Sequence, residues 1–283
     1  MNISLAPEQI FTIAGVPITN SILTGWVVTA LLLILALIFR RGLKRIPGRL
    51  QAFLDLIYTF FYDMAVQIIG REDVVRELFP YLITLFFFIV IGSWVGLLPG
   101  ITSFGFPEIK NGTTEIIPLF RAPTTDLNTT VALACVSMAY IEYLGIKYAG
   151  AKSFFKKFFN FSNPIGFAVG IFELISELGR IISFSFRLFG NIFAGDVLIG
   201  VMIFLTVSLL PYIAPLPLPF FILETFVDIV QAYVFCFLTI IFTSLAIVSH
   251  DQKGHQHGGE ELLLSEKAAQ AETRLELGNK PLI

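Results

Sequence analysis

Residues 22–39 run for 18 positions without a charge, just long enough to cross a bilayer as a helix. Comparable stretches, some carrying a few ionisable residues, follow at 78–98, 127–148, 163–210 and 220–249. Few other sequence features restrict a chain so strongly. Only 14% of the residues are charged, against about 25% in a soluble domain. The reading is an all-α polytopic membrane protein. The first 19 residues hold one charge, Glu8, and no basic cluster, so the first apolar run reads as a retained span and not a cleaved signal. A net charge of −2 suggests no nucleic-acid partner. Cys135 and Cys236 both fall in apolar runs and read as small packing residues, with no disulfide framework or metal site implied.

Charge bias sets the expected topology. Arg40, Arg41, Lys44, Arg45 and Arg49 follow the first span, and Lys147, Lys152, Lys156 and Lys157 lie at and beyond the end of the third. Together they are nine of the 19 basic residues, and both groups belong on the cytoplasmic side. The polar loop at 100–126 and the proline-rich segment at 211–219 belong on the other. Five crossings satisfy this, with the N-terminus outside and the C-terminus in the cytoplasm. The stretch 50–70, with Asp55, Asp63 and Gln67, reads as a helix at the interface or packed shallowly against the others. Asp126 is placed to cap the helix that starts at about 127. The chain divides into a membrane domain, 1–250, and a hydrophilic cytoplasmic tail, 251–283. His250, His255 and His257 near and in that tail are a weak metal signal.

Two of the spans carry more ionisable residues than packing needs. In one, Glu173, Glu177, Arg180, Arg187 and Asn191 fall within about 80° of one another on a helical wheel. Asp196, nine residues past Arg187, lies roughly 180° round and cannot share their face on a straight helix. In the last span, Glu224, Asp228 and Gln231 form a second stripe at i, i+4, i+7. Glu177 and Arg180 suit a local ion pair. Arg187 cannot be neutralised, and one guanidinium cannot pair with Glu173, Asp196, Glu224 and Asp228 together. A series of titratable carboxyls across a membrane marks a proton path. Glu173 and Asp196 lie about 21 and 14 Å along the axis on opposite sides of Arg187. A fixed cation there blocks direct passage between two half-paths.

Other readings fit less well. A secondary ion-coupled transporter with a buried Arg–carboxylate site predicts an internal repeat with paired broken helices, and none is visible. An intramembrane enzyme needs a nucleophile–base set or a motif such as His-Glu-x-x-His within the spans. All three histidines lie at or beyond position 250. No phosphate-binding Gly-Lys-Ser/Thr loop occurs, so the chain itself does not make ATP.

The stretch Phe186-Arg187-Leu188-Phe189-Gly190-Asn191-Ile192-Phe193-Ala194-Gly195-Asp196 closely resembles the signature of subunit a of the F-type ATP synthase. Gln231-Ala232, Phe235 and Leu238-Thr239 resemble the family's final helix, and Pro123-Thr124 with Asp126-Leu127-Asn128 its approach to an earlier span. The resemblance covers about residues 20–250. It implies the stationary half of a rotary motor, packed against a ring of c subunits and held by the b-subunit stator stalk within the ATP synthase complex; the lack of a transit-like N-terminus points to a bacterial plasma membrane. No cofactor or metal is implied. Ions would enter by one half-channel, ride on a ring carboxylate and leave by another. Arg187 matches the family's essential arginine and Gln231 its neighbour. Asn191, Asp196 and Glu224 match the outer half-channel, and Glu173 an acid on the cytoplasmic side. The helix bearing Arg187 would lie strongly tilted along the ring. The resemblance also leaves Gly190, Gly195 and Gly200 as points of close approach, to the ring or within the chain. The chain departs from familiar relatives in having Asp at 196, where Glu is frequent, and Glu at 224, where His is frequent. It adds Asp228 one turn further, and the three acids are expected to share protons.

Overall fold

The computed structural model describes residues 7–13, 15–44, 46–98, 100–101, 105–110, 113–150, 164–209 and 217–248. The expected tail and its histidines lie outside them. Six helices dominate: α1 (Asn20–Gly42), α2 (Arg49–Ile69), α3 (Glu72–Leu97), α4 (Leu127–Ala149), α5 (Pro164–Leu209) and α6 (Leu218–Val248). All six are long and apolar enough to cross a membrane. Two antiparallel hairpins lie outside the spans: β1 (Gln9–Ile13) with β2 (Val16–Thr19), and β3 (Gly105–Lys110) with β4 (Thr113–Pro118). The second folds part of what reads from sequence as a plain polar loop.

Local chemistry sets the ends of these helices. Thr19 caps α1 by accepting from Ile22 N, and Arg40 and Arg41 sit in its last turn, where the helix dipole favours cations. Gly70, at φ 69°, ends α2 in the left-handed conformation. Asp126 caps α4 as expected, its carboxylate accepting from Asn128 N at 3.0 Å. α3 starts six residues before the apolar run does, with Glu72 and Asp73 in its first turn.

Contacts at the two ends decide which helices cross. At one end, Asn20 Nδ2 donates to the Pro118 carbonyl at 3.3 Å, and Arg121 N donates to Thr24 Oγ1 at 3.1 Å. A short 3₁₀ turn, Pro123–Thr125, is wedged there and wholly buried. Ser93 Oγ meets Thr124 Oγ1 at 3.2 Å. Gly96 lets α3 approach this turn, since a Cβ there would come within 2.7 Å of the Ala122 Cβ. At the opposite end, Lys147 Nζ binds both Glu77 oxygens at 2.7 Å, and Tyr148 OH donates to Glu77 Oε2 at 2.8 Å. The start of α1, the end of α3 and the start of α4 therefore share one side. α2 leaves from and returns to the other, so it packs against the bundle without crossing. That leaves five crossings, and Arg40 and Arg41 at the end of α1 lie on the same side as Lys147 at the end of α4.

α3 runs through the centre, with Leu78, Leu82 and Ile89 fully buried against Phe235 and Ile240 of α6 and Leu144 of α4. In lipid such contacts hold by close packing more than by exclusion of water. Cys236 belongs to this core, its thiol 3.5 Å from the Leu82 carbonyl. Cys135 does not: it is exposed on α4, contrary to its reading as a packing residue. α5 has 46 residues. At 1.5 Å per residue it is roughly 69 Å long, more than twice the ~30 Å hydrocarbon layer, so it must lie steeply tilted.

Candidate functional site

The site is built where α5 and α6 run antiparallel. The face that α5 turns inward carries Phe184, Leu188, Ile192 and Gly195, at helical spacing. Phe184 meets Phe235 edge to face at 4.6 Å and Phe242 at 5.5 Å. Further along, Asn191 Nδ2 donates to Gln231 Oε1 at 3.4 Å. Further still, Gly195 lies directly under the Glu224 carboxyl, and any Cβ at this position would collide with it. Gly195 therefore serves packing within the chain. Gly190 is open, with no atom within reach of a Cβ built on it.

Beyond Asn191, towards the 3₁₀ turn, lies a cluster of acids. Glu224, Asp228 and Gln231 are almost fully buried, at 6%, 1% and 5% exposure. Asp196 is half-buried and close enough for its charge to act on both carboxyls of α6. The structure thus brings Asp196, which lies off the first stripe, together with the stripe of α6, and of the first stripe only Asn191 joins them. Both oxygens of Asp228, Oε1 of Glu224 and Nε2 of Gln231 make no hydrogen bond among the described residues. Buried polar atoms of this kind require a partner from outside the chain, ordinarily water. No group of three or more His, Cys, Asp or Glu among the described residues is arranged to hold a metal ion.

Sequence reasoning missed Arg121. Its charge reaches Asp196, and its Nε donates to Thr125 Oγ1 at 3.0 Å. In the sequence it is one of several charges in a loop. Its one distinguishing mark is its place just before Ala122-Pro123, which carries it into the buried wedge.

On the other side of Arg187, Arg180 Nη1 donates to Glu177 Oε1 at 2.7 Å, the ion pair expected from the i, i+3 spacing. Arg180 also lies 4.0 Å from Glu173, which the sequence had left without a partner. The guanidinium sits 4.9 Å over the Phe242 ring. A recess of about 420 Å³ opens here between α5 and α6, lined by Ser176, Arg180, Ser183 and Arg187 among others.

Arg187 itself is exposed. It forms no ion pair with an acid among the described residues, and Ser183 Oγ lies 3.5 Å from its Nη2. It shares an open stripe with Ser183, Phe186, Gly190 and Ala194, a mostly small-residue surface whose Ser183 and Arg187 also border the recess against α6. Gln231 bonds Asn191, one turn away, and not Arg187. Asp196 faces inward, as its half-turn offset from Arg187 predicts.

A family model described as the ATP synthase A chain matches residues 22–244, from the first helix to the last. The chain belongs to the ATP synthase A chain family. ATP synthase subunit a of Syntrophobacter fumaroxidans is 30% identical over 246 residues, 86% of this chain and 90% of the relative. That of Gloeobacter violaceus is 35% identical over 232 residues, 82% of this chain and 85% of the relative. The sodium ion specific ATP synthase subunit a of Propionigenium modestum is 34% identical over 242 residues, 84% and 77% of the two chains. The matched segment of this A-chain family member contains the whole acid cluster, Arg187 and the wedge with Arg121. It is a multi-pass membrane protein, as the apolar runs predict.

Proposed function

We propose that this chain carries protons across a membrane as the stationary subunit of a rotary ATP synthase, through two half-paths that meet at Arg187. One observation carries the reading. Arg187 stands on an open face without an acidic partner among the described residues, while the acids lie before and behind it along α5 and α6. Its counter-charge then comes from outside the chain, as carboxylates on a ring of c subunits passing the stripe of Ser183, Gly190 and Ala194. Small residues let a neighbouring helix approach closely. Asp196, Glu224 and Asp228, with Asn191 and Gln231 below them, form the outer half-path and share protons. Glu173 stands on the inner half-path, beside the recess at Arg180. The arginine keeps a passing carboxylate ionised and denies protons a direct route from one half-path to the other.

The positive-inside rule places the N-terminus outside, and the 40–49 cluster, the C-terminus and the 251–283 tail in the cytoplasm of a bacterium. The b-subunit stalk holds the chain in place, and ATP chemistry belongs to other subunits. Two measurements test the reading. Arg187→Ala should abolish ATP-driven acidification and ATP synthesis in inverted vesicles while the complex still assembles; coupled synthesis at the normal rate would overturn it. Synthesis in the wild type should follow an imposed ΔpH and not an imposed ΔpNa.

A further inference from the structure

A second recess, of about 630 Å³, opens between α2 and α3, well away from the acid cluster. It is lined by Tyr58, Tyr62, Arg76, Phe79, Pro80 and Ile83. The α3 residues sit at i, i+3, i+4 and i+7, a single helical face. Opposite them, Tyr58 and Tyr62 stack one turn apart at 5.9 Å, and Phe79 sets its edge against both, at 4.4 and 5.4 Å. Tyr58 is half exposed, so this aromatic wall is not closed off by the rest of the chain.

The mouth is cationic. The other bases nearby are engaged: Arg71 with Asp73 at 2.9 Å, and Lys147 with Glu77 at 2.7 Å. Among the described residues Arg76 has only Glu72, at 3.7 Å, with both side chains about 70% exposed, an arrangement that binds weakly. Pro80 adds a second polar feature. It has no N–H, so the Arg76 carbonyl one turn earlier loses its helical donor. One residue therefore presents a guanidinium and a freed acceptor at the same opening.

Depth identifies the occupant. Arg76 stands just before the apolar run of α3, at the end of the bundle where Arg40 and Arg41 close α1. Ile83 is about 10 Å further in. A ligand here has an anionic head at the interface and an apolar body below it. A guanidinium matches phosphate oxygens in a fork, and basic pockets between helices on the cytoplasmic side suit anionic lipid head groups. We propose that the groove between α2 and α3 holds one anionic phospholipid, its phosphate on Arg76, a head-group hydroxyl on the Arg76 carbonyl, and its first methylenes along Tyr58, Tyr62, Phe79 and Ile83.

The test uses the full chain purified with its partners and placed in phosphatidylcholine nanodiscs containing a trace of photoactivatable phosphatidylglycerol. Cross-linked peptides are mapped by mass spectrometry. Label should concentrate on the peptides holding residues 58–62 and 76–83. It should fall about tenfold in Arg76→Gln, by the loss of charge-assisted bonds. Arg76→Lys should keep part of the label, Ile83→Trp, which fills the groove, should lose it, and Arg40→Gln should not change it. Equal labelling by photoactivatable phosphatidylcholine, no change in Arg76→Gln, displacement by inorganic phosphate alone, or cross-links in native membranes to a protein segment in the groove would each overturn the proposal.

Discussion

Replacing Gly195 with alanine should impair the protein through one atom. The Cβ falls within the Glu224 carboxyl, so one of two adjustments must follow. Glu224 can turn out of its rotamer, at about 0.5–1.5 kcal/mol, or α5 and α6 can separate, at about 1–3 kcal/mol for an overpacked contact. The Asn191–Gln231 bond one turn away would lengthen beyond its 3.4 Å in the second case. A loss of 1–3 kcal/mol corresponds to a fall of roughly 2–12 °C in the apparent midpoint of thermal inactivation. ATP-driven acidification of inverted vesicles gives the rate, and retention of the assembled complex after graded heating gives the midpoint, which does not depend on Glu224 carrying protons. The decisive comparison is a double-mutant cycle, because coupling between touching residues is measurable at 0.5–3 kcal/mol. In a Glu224→Ala background the clash is gone, and the unpaired buried Oε1 of Glu224 goes with it. Adding Gly195→Ala to that background should move the midpoint by no more than about 1 °C. If Gly195→Ala costs as much there as in the wild type, the close approach of Gly195 and Glu224 does not exist.

Asp126→Ala should lower stability by about 0.5–2 kcal/mol through loss of the α4 cap, with Asp126→Asn close to wild type; the inactivation midpoint measures both. Gln231→Leu should slow acidification without abolishing it, because it removes a long hydrogen bond and no charge; a complete block would contradict that weighting. Lys147→Met breaks the exposed link to Glu77 that ties α4 to α3, so a small loss of stability should appear at low salt and vanish at high salt, with pumping unchanged.

Apolar run length and charge bias made the helices and their parity legible, because in lipid a spanning helix must satisfy its own backbone and basic loops stay on one side. The Asp126 cap and the Glu177–Arg180 pair were equally readable, since both depend on neighbours within a turn. What escaped was tertiary. Gly195 reads from the sequence as a point of close approach, like Gly190 and Gly200, and only the structure shows that Glu224 is what it approaches. Arg121 looks like a loop charge until the Pro123 wedge carries it between α1, α3 and α5. Glu173 seemed left over because, though it shares a face with Arg180, the i, i+7 spacing puts it about 10 Å along the axis, a gap that only the two extended side chains close. Cys135 and the shape of the 105–118 hairpin depend on which faces the bundle leaves open, and periodicity in a uniformly apolar chain does not mark those faces.

On the proposed function, the half-turn between Arg187 and Asp196 is what would turn a set of charges into a path with a break. Were both on one face, an arginine and three carboxyls would satisfy one another inside the chain, and breaking such a pair in a low-dielectric setting is expensive. With Arg187 turned outward and the acids of α6 facing inward, neither can neutralise the other without α5 rotating, and the packing of Phe184, Leu188 and Ile192 opposes rotation. The tilt adds to this. A 46-residue helix lying steeply across the layer presents Arg187 on a long oblique edge, along which the carboxylates of the proposed ring would pass in sequence. In that proposal the acids behind the edge would meet the passing groups only at one end, beyond Asn191, and the Arg180 recess only at the other.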